Sequence, residues 1–161
     1  MSAVARRFDG TVTIDVLDSG SVVAYAFAGG KVYLTRGLLE ILTNHEVAAA
    51  GPHEIGHLLG DGHIRGVASL AGQWQDREIY ADMLGCRLLE SQGIPAQAMI
   101  SMLGKVRSAQ RTGDGCRSRL GNRIELLTSV YYPKSIRKSA GKSGRKSARD
   151  AARRLGWGLH R

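Results

Sequence analysis

Cysteine, proline and long apolar runs are all scarce in this chain of 161 residues. The two cysteines, Cys86 and Cys116, are too few for a disulfide framework, and neither belongs to a CxxC pair. No apolar run approaches the ~20 residues that a membrane helix needs, so no transmembrane segment is predicted. The first residues also lack the apolar stretch of a secretory signal. We therefore expect a soluble, cytoplasmic protein, an expectation that leaves specialised export open.

Charge is unevenly distributed along the chain, whose formal net charge is +9. Ten of its 23 basic residues lie between 133 and 161, and that segment contains a single acidic residue, Asp150. The segment therefore carries 10 − 1 = +9, while residues 1–132 are neutral. This contrast predicts a folded domain over 1–132 and a basic, flexible tail over 133–161. Residues 134–154 are candidates for binding nucleic acid or an anionic membrane surface.

The first third of the chain has the pattern of short strands. Residues 11–17 alternate β-branched and polar side chains, and residues 22–27 and 31–34 form two further runs separated by Gly29 and Gly30. We predict a small antiparallel sheet from these three strands.

Helical periodicity follows in five segments, which are 37–42, 44–59, 75–91, 96–109 and 122–130. Asn44 is the predicted N-cap of the second segment, and Gly60 and Gly62 predict its end. Pro52 lies inside that segment and predicts a kink or a break near Gly51. Strands followed by helices indicate an α+β fold, with the sheet packed on the second helix.

The second helix contains His53-Glu54-Ile55-Gly56-His57, which matches the HExxH pattern. Residues four apart share a helix face, so both imidazoles can reach one metal ion with Glu54 beside it. A catalytic zinc site uses three protein ligands and a water, whose proton a carboxylate can accept. The motif therefore predicts Zn2+ held by His53 and His57, with Glu54 as general base. A helix whose histidines are merely solvated would give the same five letters.

Two residues are candidates for the third ligand. His63 completes the pattern HExxHxxGxxH, in which Gly60 would turn the chain so that a third histidine reaches the ion, as in metzincins. Glu78 lies 21 residues after His57 and one helical turn before Asp82. That spacing suits a ligand and a carboxylate that orients a metal-bound imidazole.

Three stretches of the chain carry a resemblance to a known family. They are Val32-Tyr-Leu-Thr-Arg-Gly-Leu-Leu-Glu40, Pro52-His-Glu-Ile-Gly-His57 and Glu78-Ile-Tyr-Ala-Asp-Met-Leu-Gly85. Together they resemble the gluzincin peptidases of the HtpX and CAAX prenyl endopeptidase family, in particular its soluble, minimal members (minigluzincins). The resemblance implies a zincin-like α+β fold and zinc bound by His53, His57 and Glu78, with Asp82 behind them.

The resemblance also implies where substrate binds. The strand Val22, Val23, Ala24, Tyr25, Ala26 and Phe27 is the predicted partner of an extended peptide substrate. The chain departs from the family in three respects. Family members usually carry transmembrane helices, and none is predicted here. The family pattern does not explain His63. Many members carry a His-Pro pair before a late Arg-Ile helix, and Cys116-Arg-Ser-Arg119 stands there in this chain. Arg117, Arg119 and Arg123 are the cations of that region that could substitute for it.

The function predicted from the residues and the resemblance is a zinc metalloendopeptidase that cleaves protein or peptide substrates. Two other functions remain open from the sequence. One is binding of nucleic acid or an anionic surface by the basic tail, with the zinc fold as a scaffold. The other is a latent or inactive metalloprotein.

Overall fold

The computed structural model describes residues 11–27, 29–63, 73–110 and 114–132, and the predicted basic tail lies outside these ranges. Three strands come first, followed by five helices. The strands are β1 Thr13–Leu17, β2 Ala24–Phe27 and β3 Lys31–Thr35. The helices are α1 Arg36–Ile41, α2 Asn44–His63, α3 Gln73–Ser91, α4 Gln97–Ala109 and α5 Asp114–Tyr131. The predicted α+β class, a small sheet followed by helices, is confirmed.

The sheet is mixed, and the prediction of wholly antiparallel pairing is wrong for β1. The strand order is β1-β3-β2, with β2 antiparallel to β3 and β1 parallel to it. The segment after β1 crosses the end of β3 instead of forming a hairpin. Its Ser19 carbonyl accepts a hydrogen bond of 2.9 Å from the Gly37 N–H. Both β1 and β2 are therefore edge strands.

Thr35 fixes this crossing at the junction of β3 and α1. Its hydroxyl oxygen accepts hydrogen bonds from the backbone N–H groups of Val23 and Leu38. The same oxygen lies 2.5 Å from the Ser21 carbonyl, to which its proton can be donated. Thr35 is only 1% exposed, so one buried hydroxyl joins the crossing segment before β2 to the first turn of α1.

The central helix α2 is continuous, so the predicted break near Gly51 is absent and Pro52 lies inside the helix. The helix also runs past the predicted stop at Gly60 and ends at His63. It packs against β2, β3, α3 and α4, and these contacts compensate for the hydrogen bond that proline cannot make.

The N-terminus of α2 is capped through Thr43 and Glu46 and not through the predicted cap Asn44. The Thr43 N–H and hydroxyl donate hydrogen bonds of 2.7 and 2.9 Å to Glu46 Oε2. Glu46 is buried and also accepts from Ser101 and Lys105 of α4, at 2.5 and 2.6 Å. One carboxylate therefore caps α2 and attaches it to α4.

The core lies between the inner face of the sheet and the helices. Its best buried members are Val32, Ala49, Cys86, Leu89, Met99 and Leu127. The last predicted helix, 122–130, is part of the longer α5, which begins at Asp114 and includes Cys116-Arg-Ser-Arg119. None of the helices in the described ranges has the length and apolar character needed to cross a membrane.

Candidate metal centre

Small residues allow α2 and α3 to approach closely beside the HExxH motif. A Cβ atom added at Gly56 would lie 2.5 Å from the Ala81 Cα, inside van der Waals contact. One added at Gly85 would lie 3.2 Å from the His53 backbone nitrogen. Because these glycines face the partner helix, the carboxylates of α3 come within reach of the imidazoles of α2.

Two imidazoles and one carboxylate converge at this crossing. His53 Nε2 and His57 Nε2 lie 3.1 Å apart. Glu78 Oε1 lies 3.3 Å from His57 Nε2, and Glu78 Oε2 lies 3.6 Å from His53 Nε2. A tetrahedral zinc ion with bonds of ~2.1 Å separates its ligand atoms by roughly 3.4 Å. The three side chains therefore have the donor atoms, and about the spacing, to hold a metal ion.

Asp82 lies behind His53, one turn after Glu78 on α3. Its Oδ1 is 2.9 Å from His53 Nδ1, although the contact lacks hydrogen-bond geometry and Nδ1 is buried without a hydrogen-bonded partner. The polar atom nearest to this nitrogen is thus a carboxylate, which would fix Nδ1 as the protonated position and leave Nε2 for a metal.

Arg123 of α5 connects both carboxylates. Its Nε and Nη2 donate hydrogen bonds of 2.7 Å to Asp82, one to each oxygen, and its Nη1 lies 2.7 Å from Glu78 Oε2. Arg123 and Asp82 are 8% and 1% exposed, so this is a buried, charge-paired cluster.

The charges of the cluster set its protonation. Burial alone would raise the pKa of Asp82, but Arg123 and His53 outweigh it and hold the pKa at about 2. Burial likewise opposes the lowering of the Glu78 pKa, which His57 and Arg123 bring to about 2. Burial lowers the pKa of His57 while Glu78 raises it, and the net direction is upward. Both carboxylates are therefore ionised at neutral pH, as metal binding requires.

Glu54 has a different environment from the other two carboxylates. It is 7% exposed, and burial raises its pKa despite the opposing charges of His53, His57 and Arg123. A carboxylate with a raised pKa is a better proton acceptor near neutral pH. Glu54 also lines the cavity in front of the cluster.

That cavity has a volume of about 760 Å³ and is lined by four parts of the fold. Val22 to Ala26, on and before the edge strand β2, form one side, and the metal-binding face of α2 and α3 forms the floor. Helix α4 contributes Met102, Leu103 and Val106, and α5 contributes Cys116, Arg119, Leu120 and Arg123. Phe27, the last residue of the predicted substrate strand, does not line the cavity and is half exposed.

The predicted metal-site residues are thus brought together, except for the alternative ligand His63. His53, Glu54, His57, Glu78 and Asp82 meet at a single place. His63 ends α2, six residues and roughly 9 Å of helix rise beyond His57. Helix α2 shows no turn of the backbone at Gly60 of the kind that the His63 alternative requires.

The role of Arg123 could not be assigned from the sequence, where it was a candidate cation together with Arg117 and Arg119. One signal was its position three residues after Leu120 and four before Leu127, both of which are buried. A charged residue on a buried face needs a partner of opposite charge. Of the three arginines, Arg119 and Arg123 line the cavity, and Arg117 does not.

Comparison with protein families finds a match over the first part of the chain. Residues 1–75 match the model of peptidase family M48, a range that covers 75 of the 161 residues. The match contains His53, Glu54 and His57 and ends three residues before Glu78. This first part of the chain is therefore similar to a family of zinc metallopeptidases. Searches among curated proteins and among solved structures found no match.

Proposed function

We propose that this protein is a zinc-dependent endopeptidase in which His53, His57 and Glu78 bind the metal and Glu54 is the general base. The convergence of the two Nε2 atoms and the Glu78 carboxylate within 4.8 Å of one another carries this proposal. The buried Glu54 on the same cavity wall supplies the group that distinguishes a catalytic site from a structural one.

The chemistry follows from the roles of the side chains. A zinc ion bound there supplies Lewis acidity, which lowers the pKa of water and polarises a peptide carbonyl. Glu54 accepts the proton of the attacking water and then donates it to the departing amine. Asp82 keeps the His53 ring oriented, and Arg123 holds Asp82 and Glu78 in place through its three short contacts.

Glu78 is favoured over His63 as third ligand by the backbone of α2. The helix remains regular through Gly60, whereas a metzincin site needs a turn there. The charge pairing of Glu78 with Arg123 supports the same choice, because it holds the carboxylate ionised beside the imidazoles.

The position of β2 supports extended binding of the substrate. As an edge strand it has backbone groups that no strand of the sheet satisfies, and Ala24 to Ala26 border the cavity. A peptide that adds to this edge would pass along the cavity in front of Glu54.

Within family M48, we place the chain with the minimal, soluble members of the HtpX and CAAX prenyl endopeptidase group. The three sequence stretches that resemble that group support this placement. Nucleic-acid or anionic-surface binding through 134–154 stays a prediction, because these residues lie outside the described ranges. A latent form, too, stays a prediction.

Zinc content of two matched variants tests the ligand set. We expect about one zinc per chain in the wild type and in His63→Gln, and loss of zinc from a folded Glu78→Gln. If Glu78→Gln keeps its zinc and His63→Gln loses it, His63 is the third ligand. A wild type that takes up no zinc after incubation with the metal would contradict the proposal.

Catalysis is tested separately with Glu54→Gln, which keeps the size of the side chain and removes its basicity. We expect this variant to bind zinc as the wild type does and to lose cleavage of unstructured protein substrates by at least about a hundredfold. Equal cleavage by both proteins would show that another group is the base.

A further inference from the structure

One face of α5 forms a wall of the cavity and carries two arginines. Arg119 and Arg123 are four residues apart and both border the cavity, with Cys116 and Leu120 beside them. Arg123 is buried and already pairs with Asp82 and Glu78. Arg119, one turn closer to the start of the helix, is exposed to solvent.

Arg119 differs from the other cationic groups of the cavity in having no anionic partner. The cavity is bordered by Arg77, Arg119 and Arg123, and Arg77 has interactions within the chain. Among the residues that the structure describes, no carboxylate or carbonyl pairs with the Arg119 guanidinium. The guanidinium, which has five N–H donors, is therefore available to a ligand at the border of the cavity.

The carboxylates of the cavity cannot neutralise this cation. Glu78 is engaged by Arg123 and by the two imidazoles, and Glu54 is buried on the α2 wall. A divalent ion at the imidazoles would add positive charge to the same cavity. Three arginines and two glutamates border the cavity, so these side chains carry a formal charge of 3 − 2 = +1, which favours an anion.

We propose that Arg119 is a specificity-determining residue that binds a carboxylate of the peptide substrate. This inference rests on the proposed peptidase function and adds a substrate class, namely peptides with an anionic group close to the scissile bond. A guanidinium binds a carboxylate through two parallel N–H donors, which gives direction as well as charge. The carboxylate has two chemical sources in a peptide, an acidic side chain or a free C-terminus.

The test uses blocked decapeptides of Ala, Ser and Leu in which one Glu is moved along the sequence. Each is paired with the same peptide carrying Gln at that position, and one further pair differs only in a free or an amidated C-terminus. The zinc-loaded wild type, Arg119→Gln and Arg119→Glu are compared by kcat/KM. Arg117→Gln is the matched control, because Arg117 is an exposed arginine of the same helix outside the cavity.

For at least one position we expect the wild type and Arg117→Gln to prefer Glu over Gln by about three- to tenfold, as suits a partly solvated ion pair. The ratio of kcat/KM for the Glu peptide to kcat/KM for the Gln peptide should fall to about one in Arg119→Gln. In Arg119→Glu it should fall below one. A preference confined to the C-terminal pair identifies the free C-terminus as the ligand. A preference confined to internal positions identifies an acidic side chain.

Two outcomes separate this inference from the peptidase proposal. If the wild type cleaves both members of every pair at equal rates, or shows a preference that Arg119→Glu leaves unchanged, the role of Arg119 is overturned and the peptidase proposal is left intact. If the wild type cleaves nothing, binding of dye-labelled Glu and Gln peptides is measured by fluorescence anisotropy. Tighter binding of the Glu peptide that is lost in Arg119→Glu supports the role of Arg119, and equal binding overturns it.

Discussion

Arg123 and Asp82 form a doubly hydrogen-bonded pair, with both N···O distances at 2.7 Å. The pair joins α5 to α3 and is nearly inaccessible to solvent. Its third contact reaches Glu78, and its acidic member contacts His53. A single guanidinium thus holds both the candidate ligand Glu78 and the carboxylate of Asp82, which lies beside the candidate ligand His53.

Replacing Arg123 with lysine tests this relationship. A lysine keeps the charge but cannot make two parallel hydrogen bonds, so Asp82 or Glu78 loses a partner inside the protein. We expect the free energy of unfolding to fall by about 3 kcal/mol and the zinc affinity to fall by about tenfold or more. Urea denaturation and competition with a chelator measure the two effects.

Arg36→Lys is the control for that experiment. Arg36 also contacts two carboxylates, those of Asp18 and Glu40, but all three side chains are more than half exposed. The unfolding free energy should change little, because an exposed ion pair contributes little to stability. If Arg123→Lys and Arg36→Lys lose the same unfolding free energy, burial and bidentate geometry do not determine the strength of these ion pairs.

Gly56 provides a second prediction, because α3 leaves no space for a side chain there. In Gly56→Ala the new methyl group would meet the Ala81 backbone, and the two helices must separate. We expect a loss of about 2 kcal/mol or more in stability and a lower zinc affinity, because Glu78 moves away with α3. Thermal unfolding and zinc titration measure these effects.

Gly104→Ala is the matched variant, since Gly104 is inside α4 and an added Cβ atom meets nothing within 4 Å. Alanine is the better helix former, so this variant should gain up to about 1 kcal/mol. A Gly56→Ala protein that is as stable as Gly104→Ala would show that α2 and α3 can separate without cost.

The site could be predicted where its determinants are local. His53 and His57 share a face because their spacing matches a helical turn, and the same holds for Glu78 and Asp82. The pairing of Arg123 with Asp82 joins residues 41 positions apart. No periodicity encodes such a contact, which depends on how α3 and α5 pack.

The fold shows the same division between local and long-range determinants. The alternating patterns located the three strands to within two residues at each end. They could not determine that β3 lies in the centre, because the strand order depends on the crossing that Thr35 stabilises. The continuity of α2 through Pro52 likewise results from packing on both sides of the helix, which outweighs a local preference.

We expect the hydrogen-bonded carboxylate of Glu46 to stabilise the folded protein at neutral pH and to lose this effect in acid. Burial by itself raises its pKa, but hydrogen bonds from Lys105, Ser101 and Thr43 hold the pKa at about 2, below the ordinary value of 4.5. Because the folded-state pKa is depressed, the contribution is present above about pH 4.5 and disappears as the pH falls toward 2. Lys105 is partly exposed, so we expect about 2 kcal/mol at neutral pH, discounted for solvent screening.

Denaturation of Glu46→Gln at pH 7 and pH 3 measures this contribution. The difference in unfolding free energy between wild type and variant should be largest at pH 7 and clearly smaller at pH 3. Glu40→Gln, which alters an exposed pair, should give a small difference at both values. If the difference in unfolding free energy between the wild type and Glu46→Gln is the same at both pH values, the effect of Glu46 is due to packing alone.

The hydrogen-bond pattern of β2 shows which of its backbone groups are available to a substrate. The Val23 carbonyl accepts from the Thr35 N–H, and Tyr25 lies opposite Tyr33 in the antiparallel register. Bonded pairs alternate along an antiparallel ladder, so the N–H of Ala26 points away from β3.

Ala26→Pro therefore tests extended substrate binding. Proline is tolerated on an edge strand where the N–H is outside the ladder, so the variant should fold and bind zinc. It lacks the donor that a peptide would use, and we expect kcat/KM for unstructured peptides to fall by about tenfold. Tyr25→Pro removes a ladder hydrogen bond instead and should lower the melting temperature. A folded, zinc-bound Ala26→Pro protein with wild-type kcat/KM would mean that the substrate does not pair with β2.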